Sequence, residues 1–153
     1  MLFRSCSDLR SSILTNLDVR FKKAGVKNYT LAQADVSSQA TRLPGKQFDL
    51  ILADVPCSGS GTWARNPERI SFFEKDEIQQ YADLQKRIVQ RILPALKSGG
   101  LLLYVTCSVF RKENEEVVNS LLVNTELQLV KMLGFGADDF NTDKLFAALL
   151  KKD

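Results

Sequence analysis

Histidine is absent from the chain. That absence removes Ser-His-Asp and Cys-His catalysis within the chain, and His-ligated metal sites with them. Cysteine is scarce. Cys6, Cys57 and Cys107 lie far apart, and no CxxC pair offers half of a zinc site. Three separated cysteines fit free thiols in a reducing compartment, so the expected location is cytoplasmic. No apolar run is long enough to span a membrane, and the opening residues MLFRSCSD lack the apolar stretch of a signal peptide. Neither charge sign dominates. The formal net charge of +3 permits contact with a polyanion without arguing for one. Proton handling within the chain has to fall to Asp, Glu, Cys, Lys or Tyr.

What is present reads as a soluble α/β domain or most of one. A chain of 153 residues can bury a core without disulfide staples. After Asp8, the spacing of Ile13, Leu14, Leu17 and Phe21 predicts a helix that stops at Lys22, Lys23 and Gly25. Tyr29 to Ala34 reads as a strand ending at Asp35. A polar loop with Pro44-Gly45 follows. FDLILA, residues 48–53, has the apolar character of a strand buried on both faces. A long loop from Asp54 to about Lys75 leads to the strongest helical pattern, with Asp76 as cap and Ile78, Tyr81, Leu84, Ile88 and Ile92 as its apolar stripe. The helix is expected to run to about Ser98-Gly99-Gly100. LLLYV, residues 101–105, is a second buried strand, ending at Thr106-Cys107-Ser108. Glu113 to Leu122 reads as helix, Leu127 to Met132 as strand, and Leu145 to Leu150 as a last strand or a short helix. Such alternation predicts an α/β fold with a mostly parallel sheet. Ligands bind such sheets outside the carboxyl ends of the strands, where Asp8, Asp35, Asp54 and Cys107 fall. Asp also favours turns for its own sake, so position alone does not decide between site and loop.

Two segments carry more specific chemistry. DVPCSGSGTWARNPE, residues 54–68, sets a carboxylate, a rigid proline, a thiol and two glycines directly after a strand. YVTCSVFRKENEEVV, residues 104–118, sets a second thiol at the end of the next strand. The first resembles the DAPCSGTG-type motif of RNA (cytosine-5) methyltransferases, a family that includes the bacterial ribosomal RNA methylases called Sun or Fmu. The second resembles that family's TCS motif with its following Glu-Asn pair. The tail from Asn141 to Ala148 resembles the family's closing DTDGFFAA-like strand. The resemblance covers nearly the whole chain.

The resemblance implies a Rossmann-like S-adenosylmethionine-dependent methyltransferase fold, with residues 1–153 as a partial catalytic domain. It lacks the first strand and its Gly-rich loop, which in the family precede Asp8. It implies methyl transfer to carbon 5 of cytosine in RNA, ribosomal RNA by family wording. Cys107 would be the nucleophile at carbon 6, and Cys57 would assist proton removal or product release. Asp54 would face the cytosine N3 edge. Asp8 matches the acid expected on the cofactor's ribose and Asp35 the acid beside its adenine. Asp54 and Pro56 are carried over to the cofactor as well. Arg65 is a candidate phosphate or base contact, or else a solvated loop arginine. Trp63 is a candidate stacking residue, or else packs on the protein. Glu113 and Asn114 are expected to brace the Cys107 loop. A helix beginning near Phe110 is a candidate stabiliser of the thiolate. No metal is expected.

Two other readings stay open. A DNA cytosine-5 methyltransferase would attack through Cys57 of the Pro-Cys loop. A non-catalytic fragment or RNA-contacting module would need neither thiol. Loss of a central strand would leave unpaired edges, which predicts self-association.

Overall fold

The computed structural model describes residues 3–42, 45, 47–136 and 142–153. Met1 and Leu2 of the opening segment, Pro44 of the expected turn and Asn141 of the tail lie outside them. The chain forms two compact units, Met1–Leu43 and Pro44–Asp153.

The first unit is a strand–helix–strand crossover. β1 (Arg4–Asp8) and β2 (Tyr29–Gln33) pair in parallel, with α1 (Ser11–Lys23) between them in sequence. The helix ends as its sequence predicts. Gly25 takes φ 65°, which lets Gly25 N–H reach the Lys22 carbonyl and Val26 N–H reach the Phe21 carbonyl. These bonds satisfy carbonyls the helix would otherwise leave open, and a basic last turn complements its dipole. The Phe21 ring packs edge-on to Tyr29, whose hydroxyl donates to Asp18 at 2.6 Å.

The second unit holds a four-stranded sheet in the order β3 (Phe48–Asp54), β4 (Leu96–Thr106), β6 (Leu145–Lys152), β5 (Leu127–Phe135). β3 and β4 are parallel, and β6 runs antiparallel to both of its neighbours. Three of these four strands therefore share a direction and β6 alone is reversed. α2 (Lys75–Ile92) and α3 (Glu115–Asn124) complete the unit. Its core joins Ala82 and Val89 of α2, Leu102 and Tyr104 of β4, Val117 and Leu121 of α3, and Phe146, Ala148 and Leu150 of β6. Period-2 burial along β6 settles Leu145 onward as strand rather than helix.

Several expectations are corrected. α2 starts at Lys75 after Glu74, and Asp76 sits in its first turn without capping it. It ends at Ile92, well before Ser98. Pro94 lacks the N–H to continue the helix, a short 3-10 turn spans Leu93–Ala95, and Leu96 already pairs with Phe48. Its buried line runs through Ala82, Gln85 and Val89, so Tyr81, Leu84 and Ile88 flank that line rather than form it. β3 is not buried on both faces. Ile51 and Ala53 face the core, while Leu50 and Leu52, on the opposite face, are 58% and 63% exposed. No helix starts at Phe110; turns lead to Glu115.

Candidate active site

β3 and β4 run side by side in parallel and end together, with Asp54 opposite Val105. Val55 N–H still donates to the Val105 carbonyl at 3.2 Å, so the two chains leave the sheet in step. Each then delivers a cysteine. The Cys57 and Cys107 sulfurs lie 3.4 Å apart, both half-buried and both free thiols.

That contact divides the proton unequally. The Cys57 thiol facing Cys107 stabilises negative charge there and brings Cys107 down to about 7, against burial and the Asp54 and Glu113 charges, which oppose ionisation. Cys57 is pushed far up by the same contact and by burial. Cys107 is thus the more acidic thiol of the pair and Cys57 the less acidic. A thiolate is the nucleophilic form of sulfur. Asp54 is exposed and close enough for its charge to bear on Cys107. Pro56 is exposed beside it.

The loops that hold the sulfurs are stitched together by buried polar groups. Ser58, Ser60 and Ser108 form a triangle of hydroxyls with oxygens 3.1–3.3 Å apart. Glu113, fully buried, accepts through Oε2 from Ser58 N–H at 2.9 Å and from the Ser58 hydroxyl at 3.2 Å. Asn114 accepts from the Thr106 hydroxyl at 2.6 Å and donates to the Ser108 carbonyl at 2.8 Å. Gly61 N–H donates to the Cys107 carbonyl, and the Gly61 carbonyl accepts from Lys144 N–H, each at 2.8 Å. The start of β6 is thereby tied to both cysteine loops. Gly59 adopts φ 70°, a left-handed turn that lets the loop fold back after Cys57.

The remaining candidates lie elsewhere or are otherwise engaged. Asp8 and Asp35 belong to the first unit, at the carboxyl ends of β1 and β2. Asp8 accepts from Arg10 N–H at 2.8 Å and from its guanidinium at 3.2 and 3.3 Å, which holds the carboxyl below its ordinary range. Asp35 accepts from the backbone and hydroxyl of Ser37. Both carboxylates end neighbouring parallel strands, and both are acceptors suited to hydroxyl or amino donors. Arg65 pairs with Asp143 at 2.8 Å. Trp63 packs edge-on against Phe73 and Phe110, which stack on each other.

Gln85 lies outside both motifs, and Tyr104 and Ser58 lie within them without a role that the motifs assign. Gln85 Nε2 donates to the Pro56 carbonyl at 2.9 Å. The Tyr104 hydroxyl lies 3.0 Å from Gln85 Oε1 and 2.6 Å from the Glu113 carbonyl oxygen, sharing its proton across the two. The available signal is Gln85 itself, an amide at a position in register with Ala82 and Val89 on the buried line of α2.

Known proteins give this geometry a context. The family described as 16S rRNA methyltransferase RsmB/F matches residues 6–149. Ribosomal RNA small subunit methyltransferase F of Serratia proteamaculans is 35% identical over 69% of this chain and 22% of its own length. Ribosomal RNA small subunit methyltransferase B of Salmonella arizonae is 37% identical over 77% of this chain and 27% of its own. The chain spans about a quarter of the length of these relatives. Among solved structures, NSun6 from Pyrococcus horikoshii, determined with SFG, aligns over 97% of this chain and 41% of its own at 25% identity and TM-score 0.82. A methyltransferase homologue from the same organism aligns over 97% of this chain and 53% of its own at 26% identity and TM-score 0.80.

Proposed function

Because the chain belongs to the 16S rRNA methyltransferase RsmB/F family, we propose that it takes part in S-adenosylmethionine-dependent methylation of carbon 5 of cytosine in ribosomal RNA. The observation that carries the chemistry is the pair of sulfurs 3.4 Å apart, with Cys107 the more acidic of the two.

Carbon 5 of cytosine is a weak nucleophile. Addition of the Cys107 thiolate to carbon 6 forms a C–S bond and pushes electron density toward N3 and carbon 5. A proton shared between the Asp54 carboxyl and N3 offsets the charge that develops there. S-adenosylmethionine supplies an electrophilic methyl group when bound. Asp8 and Asp35 suit its adenosine portion, since ribose hydroxyls and an adenine amino group need acceptors. Asp54 and Pro56 are assigned to it within the second unit. After transfer, the carbon 5 proton passes to a solvent water, the C–H electrons re-form the C5–C6 double bond, and the C–S electrons return to Cys107. Cys57, 3.4 Å from that sulfur, would hydrogen-bond the departing thiolate and so favour its release. The Thr106-Cys107-Ser108 segment with its Glu113-Asn114 pair, and the family match over residues 6–149, argue against the DNA-type alternative in which Cys57 attacks.

The test uses two variants with S-adenosylmethionine and a ribosomal RNA substrate. Cys107→Ala should abolish both methylation and covalent complex. Cys57→Ala should accumulate a Cys107–RNA adduct, seen as a denaturing-gel shift. Methylation that survives in Cys107→Ala refutes the nucleophile. Loss of turnover in Cys57→Ala with no adduct refutes the release role. Calorimetric titration of S-adenosylmethionine into the 153-residue chain and an upstream-extended form separates a cofactor-binding domain from a fragment that needs more chain.

A further inference from the structure

The geometry points to Gln85 as a positioning residue: with Tyr104 and Glu113 it closes a hydrogen-bonded ring that begins at Pro56 and ends at Ser58, and so fixes Cys57 from both sides at contact distance from Cys107. This rests on Cys107 being the reacting sulfur, but its test reads the sulfur and not methyl transfer.

The ring can be followed atom by atom. Gln85 Nε2 donates to the Pro56 carbonyl at 2.9 Å. Gln85 Oε1 lies 3.0 Å from the Tyr104 hydroxyl, which lies 2.6 Å from the Glu113 carbonyl. The Glu113 carboxylate then takes Ser58 N–H at 2.9 Å. Cys57 is the one residue between the two ends. Gln85, Tyr104 and Glu113 are all fully buried. A buried amide without partners is strongly disfavoured, and both ends of the Gln85 amide are paired, whereas Glu113 engages the loop through Oε2 and its buried Oε1 has no partner among the described residues. Here the amide uses both ends of its side chain on the loop and on β4. The same strand runs on from Tyr104 through Thr106 to Cys107, so one rigid element references both sulfurs. A hydrophobic residue at position 85 would fill the core as well and position nothing.

The consequence falls on the acidity of Cys107. Its main stabilisation as thiolate is the contact from Cys57, which brings it to about 7. If the Pro56 side of the loop is released, that contact loosens and Cys107 moves back toward its ordinary value of about 9. At pH 7 the thiolate fraction would then fall from about one half to about one hundredth, while the more basic sulfur gains roughly eightfold in intrinsic nucleophilicity. The net expectation is alkylation about sixfold slower at pH 7.

The experiment follows iodoacetamide labelling of Cys107 by mass spectrometry from pH 5.5 to 10, in the unaltered chain and in Gln85→Met. Methionine keeps the length and apolar bulk and removes both hydrogen bonds. The midpoint should rise by one unit or more while circular dichroism stays unchanged. An unchanged midpoint in a folded Gln85→Met protein overturns the proposal and leaves Gln85 as core filling. Should that variant fail to fold, Tyr104→Phe, which keeps the aromatic side chain and removes the hydroxyl linking Gln85 to Glu113, carries the same expectation and the same refutation. Failure of methyl transfer with a shifted midpoint would count against the proposed function and not against the positioning role.

Discussion

Alanine at position 61 should disrupt the junction of three segments at once. Gly61 bonds through its N–H to the Cys107 carbonyl and through its carbonyl to Lys144 N–H. A Cβ there would overlap the Lys144 carbonyl oxygen and come within 2.9 Å of the Cys107 carbonyl oxygen. Both obstacles are main chain, so no side chain can swing aside. Overpacking of this kind typically costs about 1–3 kcal/mol. Displacing the strands also weakens two hydrogen bonds, each worth about 1 kcal/mol net. Together these give a loss of about 3 kcal/mol, or roughly 6–12 °C in Tm for a chain of this size. Urea unfolding followed by the fluorescence of Trp63, the sole tryptophan, two residues away, measures it directly. Gly134→Ala is the control, because nothing lies within 4 Å of a Cβ there. Equal stability of Gly61→Ala and the unaltered protein would refute the claim that this close approach requires glycine.

Three more outcomes are expected. Cys107 should be alkylated with a midpoint near pH 7. A thiol whose folded value is lowered contributes stability that is present above its ordinary value and lost as pH falls through about 7, and a midpoint near 9 would contradict the thiolate assignment. Glu113→Ala should destabilise by about 3 kcal/mol in chemical denaturation, because it strands the buried Ser58 N–H; Glu113→Gln, which keeps an acceptor, should lose about 1 kcal/mol. Equal losses would show that packing, not the hydrogen bond, matters there. Finally, β3 lies at the end of its sheet with Leu50 and Leu52 exposed, so the chain should self-associate with concentration in light scattering, and Leu50→Lys should reduce it. A strict monomer at high concentration would overturn that expectation.

The strands and the cysteines were legible because their signals are local. Apolar runs followed by polar strand ends located β3 and β4, and two motifs located Cys57 and Cys107. The apolar run of residues 48–53 was misleading, since one face of β3 meets the core and the other does not. Composition cannot report which neighbours a strand has. The helical stripe was off by one position because Gln85, a polar residue, occupies a core place and Tyr81, Leu84 and Ile88 flank it. A hydrophobicity pattern skips such a residue by construction. The thiolate was expected to draw on a helix near Phe110, yet Cys57 is its first cause. A pairing between residues fifty positions apart leaves no trace in spacing along the chain.

The tethering of the Pro-Cys loop also bears on the entropy of substrate capture. Proline fixes one backbone angle at residue 56, Gly61 is locked between two strands, and three serine hydroxyls are consumed internally. Ordering a loop residue costs about 1–2 kcal/mol. In this loop that ordering is completed when the chain folds, before any nucleotide arrives. If the chain acts on a base as proposed, that base would meet a loop already ordered, and the binding free energy that a slack loop would absorb would stay free to act on the base itself.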